Sequence, residues 1–190
     1  MMCTSRYIAF LRAINVGGYV VKMERLRELF ESLGFTGVET LIASGNVIFT
    51  SDSKAAALER KIESCLMKAL GYEVATFVRT DAEVAEISRY QPFADSAFKT
   101  AVAFNVGFLA EPLGREGKKM LMTFKTAIDD FHVNGREVYW LCKKKQSEST
   151  FSNVAFERVL KTRCTFHGLS TVQKLAAKYP PTDKSAQKWH

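Results

Sequence analysis

A chain of 190 residues that is 47% apolar and 25% charged has the composition of an ordinary globular protein, and at this length it buries roughly 70% of the surface its unfolded form exposes. Its apolar runs fall well short of the ~20 residues needed to cross a bilayer, and no apolar stretch with a small-residue cleavage site follows Arg6, so a cytoplasmic protein with no membrane partner is expected. The formal net charge of +7 favours acidic partners such as phosphates or nucleic acid, although part of the excess lies in Lys143-Lys144-Lys145 and in the C-terminal tail.

Residues 7–12 (YIAFLR) are rich in strand formers, and Gly17-Gly18 marks a sharp turn in the loop that follows. Met23, Leu26, Leu29, Phe30 and Leu33 then recur at helical spacing up to Gly34, which suits a left-handed cap. Two short apolar runs, 38–43 and 47–50, flank Ser44-Gly45-Asn46 and predict a hairpin. Leu58, Ile62, Cys65, Leu66, Ala69 and Leu70 mark one face of a second helix that begins near Ser53 and stops at Gly71, and 74–78 reads as a strand. The order β-α-β-β-α-β is the split βαβ pattern of ferredoxin-like folds.

A short helix follows, with Thr80 and Glu83 as a capping box and Val84 and Ile87 facing inward. Pro92 to Phe98 is the expected connection, after which the pattern restarts. Residues 100–109 alternate as a strand, a glycine-containing loop leads to a short helix, and 131–133 and 138–141 flank the hairpin signal Asn134-Gly135. Val154, Phe156, Val159 and Leu160 suggest a helix, 164–166 a short strand, and Leu169, Val172, Leu175 and Ala176 a last helix. The expected organisation is therefore α+β, two ferredoxin-like subdomains with mainly antiparallel sheets, at 1–91 and 92–179, with a loose polar tail at 180–190.

In a split βαβ unit the first two strands run parallel, so the loop after the first and the hairpin after the second lie at one end of the sheet. This topology predicts that Arg12, Asn15, Gly17, Gly18 and Lys22 meet Ser44, Gly45 and Asn46 near the start of the first helix. Glycine-lined backbone, free helix N–H groups and a guanidinium suit a phosphate or carboxylate. The same residues also serve ordinary turns, and neither G-x-G-x-x-G nor a P-loop is present.

Enzyme motifs are sparse. There is no G-x-S-x-G and no H-E-x-x-H, and no residue is assigned as nucleophile or base. Asp129-Asp130 would point to opposite faces of a strand, and solvated turn chemistry is the expected role. His132, beside the second hairpin, reads as a partly buried structural residue, and Trp140, Tyr139 and Phe108 read as core. Cys3, Cys65, Cys142 and Cys164 are scattered as reduced thiols are, and the C-x-x-H spacing of Cys164 and His167 lacks a second pair of ligands. No metal and no cofactor are expected. An RNA-recognition motif shares the element order, but the third strand offers Phe49 alone and lacks the basic-Gly-aromatic opening.

The segments FLRAINVGG (10–18), KMERLRELFESLGF (22–35) and ASGNVIF (43–49), in this order and spacing, resemble the bacterial family catalogued as domain of unknown function 1697. The resemblance extends through NGREVYW (134–140) and STVQKL (170–175), and it implies two ferredoxin-like subdomains without an established activity. Its signature falls on Leu11, Arg12, Ile14, Asn15, Val16, Gly17, Gly18, Lys22, Ser44, Gly45 and Asn46. The C-terminal signature departs, with Ser149-Thr150 in place of a Ser-Lys pair and Phe166-His167-Gly168-Leu169 in place of Thr-Arg-Asn-Trp. The expected function is binding of a small anionic ligand at this cluster, the alternative being a nucleic-acid-binding module that uses the basic surface. Oligomeric state is left open.

Overall fold

The computed structural model describes residues 4–15, 18, 20–41 and 45–182. The chain divides into two compact units, one drawn from Met1–Ala85 with Ala176–His190 and the other from Glu86–Leu175.

In the first unit the elements are β1 (Ser5–Leu11), α1 (Met23–Ser32), β2 (Thr36–Leu41), β3 (Asn46–Ser51), α2 (Ala55–Leu70) and β4 (Thr76–Thr80). The sheet order is β2-β3-β1-β4 with every neighbouring pair antiparallel, which leaves β1 and β2 parallel to each other. Side chains alternate across a strand, so Tyr7, Ala9 and Leu11 join Val47 and Phe49 on the helix-covered face. Leu26, Leu29 and Phe30 from α1 and Leu58, Ile62 and Leu66 from α2, spaced by three or four residues, complete this core. Gly34 (φ +82°) and Gly71 (φ +80°) end the two helices in the left-handed conformation that glycine adopts at least cost. On the other face Ile8, Phe10, Ile48 and Phe77 are also buried, as is the whole of Arg79, whose Nη1 donates to the Val78 carbonyl at 2.9 Å.

Helix α3 (Asp81–Arg89) starts with the expected reciprocal cap: the Thr80 N–H donates to Glu83 Oε2 (2.7 Å) and the Glu83 N–H to Thr80 Oγ1 (3.1 Å). The C-terminal segment is docked further than expected. Tyr179 donates its hydroxyl to Glu39 (2.7 Å), Arg6 donates to the Pro180 carbonyl (3.2 Å), and the Thr182 N–H donates to Asp81 (2.9 Å).

The second unit repeats the arrangement. After α4 (Asp95–Thr100) come β5 (Ala103–Phe108), α5 (Arg115–Met122), β6 (Asp129–Asn134), β7 (Glu137–Cys142), a 3-10 turn at Gln146–Glu148, α6 (Asn153–Leu160), β8 (Thr165–Gly168) and α7 (Leu169–Lys178). The sheet order β6-β7-β5-β8 matches that of the first unit strand for strand. Its core joins Leu109, Leu121, Phe131, Val138, Trp140, Phe151 and Phe156. The fold is thus α+β, with two similar four-stranded antiparallel units.

Three details differ from the sequence reading. Helix α4 lies in the stretch read as a connection; it is six residues long, has no side-chain cap, and is held by Phe98 against Phe93 and Phe104. Val102 lies outside β5 and is 63% exposed. Asp129, read as solvated, opens β6 and is 2% exposed. Its Oδ1 accepts from Trp140 Nε1 (2.8 Å), and its Oδ2 accepts from Ser149 (2.9 Å) and Thr126 (3.1 Å). Neighbouring Asp130 faces the other way and pairs with Lys125 at 2.8 Å.

Candidate functional site

Because β1 and β2 are parallel, the loop leaving β1 and the turn into β3 meet at one end of the first sheet. The Leu11 N–H donates to the Gly45 carbonyl (3.1 Å), and the Arg12 N–H donates to the Ala75 carbonyl (2.8 Å), so β4 enters the same cluster. Ile14 is buried beneath the turn, and the Tyr72 hydroxyl donates to the Ile14 carbonyl (3.0 Å). Asn15 Oδ1 accepts from the Val21 N–H (2.7 Å), closing the loop just before α1. Asn15 thus braces its own loop backbone, one of the two roles its sequence position allows.

The sequence-predicted residues take different stations in this cluster. Arg12 and Asn15 are half-buried, Gly18 and Lys22 are exposed, and Gly45 and Asn46 are buried. Gly17 and Ser44 lie outside the described residues. Asn46 sits within β3 opposite Phe10 and Leu41, where it belongs to the sheet as much as to the turn. Lys22 is the N-cap of α1, in extended conformation and with no side-chain cap. The first helical bond runs from the Leu26 N–H to the Lys22 carbonyl, so the N–H groups of Met23, Glu24 and Arg25 precede the helical ladder and carry its positive dipole end.

One feature of this loop has no sequence signal. Ala13 adopts φ +57°, a conformation that costs a residue with a Cβ about 1–2 kcal/mol, directly after Arg12. Such outliers persist where the surroundings impose them and gather at binding loops. Alanine carries no turn preference, so the strain was not readable from residue type.

The family model described as protein of unknown function, DUF1697, matches residues 4–139. The chain belongs to this family. A solved structure of a conserved bacterial protein from Streptococcus pneumoniae superposes with a TM-score of 0.68 at 22% identity, over 92% of this chain and 98% of that one. At that identity the likeness speaks for the fold alone. No curated protein matches the chain. The part covered by the DUF1697 model contains the whole β1–α1 and β2–β3 cluster.

Elsewhere the chemistry-bearing residues serve packing. Cys164 is buried in the second core, its carbonyl accepting from Asn153, and His167 is 8% exposed with Nε2 3.3 Å from Thr165 Oγ1. Among the described residues no group of three or more His, Cys, Asp or Glu is placed to hold a metal ion. No helix among them is long and apolar enough to cross a membrane. His132 is half-buried and shares a 3.0 Å hydrogen bond with the Tyr90 hydroxyl.

Burial pushes the His167 imidazole down to about 4. In the unfolded chain it titrates near the ordinary ~6.5, so between these values the unfolded state binds the proton and the folded state does not. The stabilisation is complete above about pH 6.5 and is lost as pH falls toward 4, by roughly 3 kcal/mol. Denaturant unfolding from pH 7 to pH 4 should therefore show a steeper loss of stability in the parent chain than in His167→Gln. Equal slopes would mean that His167 is protonated as easily in the fold as outside it.

Proposed function

We propose that this protein binds a small ligand bearing a phosphate or carboxylate at the end of the first sheet. The residues assigned to the site are Arg12, Asn15, Gly17, Gly18, Lys22, Ser44, Gly45 and Asn46. The observation that carries this reading is the convergence of the two loops on the uncapped start of α1, tied by the Leu11–Gly45 and Arg12–Ala75 hydrogen bonds. In it Arg12 supplies a delocalised charge with paired donors and Lys22 a mobile charge at the rim. Gly18 leaves the backbone accessible, since a Cβ there would meet nothing within 4 Å. Gly45, Asn46 and Asn15 hold the frame, and the strain at Ala13 fixes the direction of the chain beside Arg12.

Thermal unfolding with phosphates, nucleotides, anionic metabolites and short oligonucleotides, at two salt concentrations, tests this. A ligand at a hundred times its dissociation constant adds about 2.7 kcal/mol, or roughly 5–11 °C for a chain of this size. The reading predicts a small anion that produces such a shift in the parent chain and a much smaller one in Arg12→Ala. Stabilisation by oligonucleotides alone, lost at high salt and indifferent to Arg12, would replace it with nucleic-acid binding on the basic surface.

A further inference from the structure

In the second unit β6 is an edge strand, paired with β7 alone in a sheet ordered β6-β7-β5-β8. Edge strands expose backbone donors and acceptors, and folds commonly blunt them with bulges. The corresponding edge of the first sheet, β2, is blunted in this way: its register shifts between Thr36 and Glu39, with Gly37 at φ +58°. Strand β6 has no such break, and its register runs continuously from Asp129 opposite Cys142 to Asn134 opposite Glu137.

Along this regular edge lies a trough of about 600 Å³. One wall is a stripe of α5 in which Arg115, Lys118, Lys119 and Met122 follow one another at i, i+3, i+4 and i+7, and the other includes Phe131 and Val133 of β6. Lys119 is paired with Glu116 at 3.0 Å, whereas Arg115 and Lys118 have no ion-pair partner among the described residues. Asn134 and Glu137 close the turn, so by the alternation of an antiparallel ladder Phe131 and Val133 direct their N–H and C=O groups away from β7. The Phe131 N–H donates instead to the Asp130 carboxylate (2.9 Å), as an outward group would. Phe131 and Val133 also place their side chains on the α5 side of the sheet.

We propose that β6 is a docking edge for an extended acidic peptide, which adds as a fifth strand with alternate carboxylates facing α5. Main-chain bonds to Val133 N–H, Val133 C=O and Phe131 C=O supply the pairing. Side chains of the added strand opposite Phe131 and Val133 point toward α5, where Arg115, Lys118 and Lys119 select glutamate or aspartate and Met122 contributes apolar contact. The requirement for both an extended backbone and alternating negative charge separates this partner from a free anion, which needs neither.

The test is titration of the full chain with an N-acetylated, C-amidated eight-residue peptide alternating Glu and Thr, and with the same peptide N-methylated at alternate amides. The expected result is saturable binding that weakens at least tenfold on N-methylation and at least tenfold in Arg115→Glu/Lys118→Glu, with amide exchange at Val133 slowed at least tenfold in the complex. Equal binding of the N-methylated peptide, equal competition by polyphosphate of the same charge, or no saturable binding would each overturn the proposal. The peptide modification leaves the protein unchanged, so the outcome stands even where an edge variant such as Val133→Pro fails to fold.

Discussion

Asp129→Ala should lower the midpoint of thermal unfolding by roughly 6–12 °C, the equivalent of about 3 kcal/mol in a chain of this size. The carboxylate is 2% exposed and gathers three donors that sequence separates widely: Thr126 before β6, Trp140 on β7 and Ser149 beyond the 3-10 turn. Removing it leaves the buried indole N–H without its acceptor and takes from the half-buried Ser149 and exposed Thr126 hydroxyls a shared charged partner, which costs more than the net worth of a single bond. The consequence spreads into the core. Trp140 packs on Phe151 and Phe166 with ring centroids 4.7 and 6.0 Å away, and Ser149 Oγ in turn accepts from the Phe151 N–H at 3.0 Å. Asp129→Asn should lose less, about 1–2 kcal/mol, because its amide oxygen still accepts from the indole and Ser149 Oγ, which accepts the Phe151 N–H, can take one hydrogen of the NH₂ group, whereas Thr126 Oγ1 already accepts the N–H groups of Ile128 and Asp129. Differential scanning calorimetry of the three proteins decides the matter. A midpoint for Asp129→Ala within 3 °C of the parent would show that water replaces the carboxylate at little cost.

Gly45→Ala is expected to cost about 3 kcal/mol, and Gly18→Ala only about 1 kcal/mol, although both glycines have left-handed backbones. The values of φ are +80° and +90°. What separates them is space. A Cβ on Gly45 would stand 2.5 Å from Ile14 Cγ2 and 3.2 Å from Leu11 Cβ, and neither atom can retreat, since both residues are buried in the first core. At Gly18 the same atom meets nothing within 4 Å, so only the backbone penalty remains. Urea unfolding of both variants measures the difference directly. Similar losses would mean that the β2–β3 turn does not press on the opening loop as the fold requires.

Much of this architecture was readable from residue patterns. Leu26, Leu29 and Phe30 announce α1, Gly34 and Gly71 mark the helix stops, and Asn134-Gly135 marks the second hairpin, because each signal is local and has a single physical cause. The convergence of the two loops followed from one topological step, that β1 and β2 are parallel. Asp129 was misread because its worth lies in partners up to 20 residues away, and a pair of aspartates beside a turn carries no trace of a buried indole. Arg79 illustrates the same limit: alternation in Thr-Phe-Val-Arg-Thr puts it on the face of Phe77, but nothing local says that this face is buried. The cationic stripe of α5 was available as a spacing pattern. Its meaning depended on the unbroken edge of β6 beside it.

The most direct test of anion binding at the opening loop is an amide-resolved NMR titration with inorganic phosphate and pyrophosphate. Binding there should give saturable shifts centred on Gly18 and the first turn of α1, from Lys22 to Arg25, and their loss in Arg12→Ala at unchanged fold. Shifts confined to Arg115–Met122, or a linear drift shared by all exposed lysines, would contradict it and leave the strained loop as architecture.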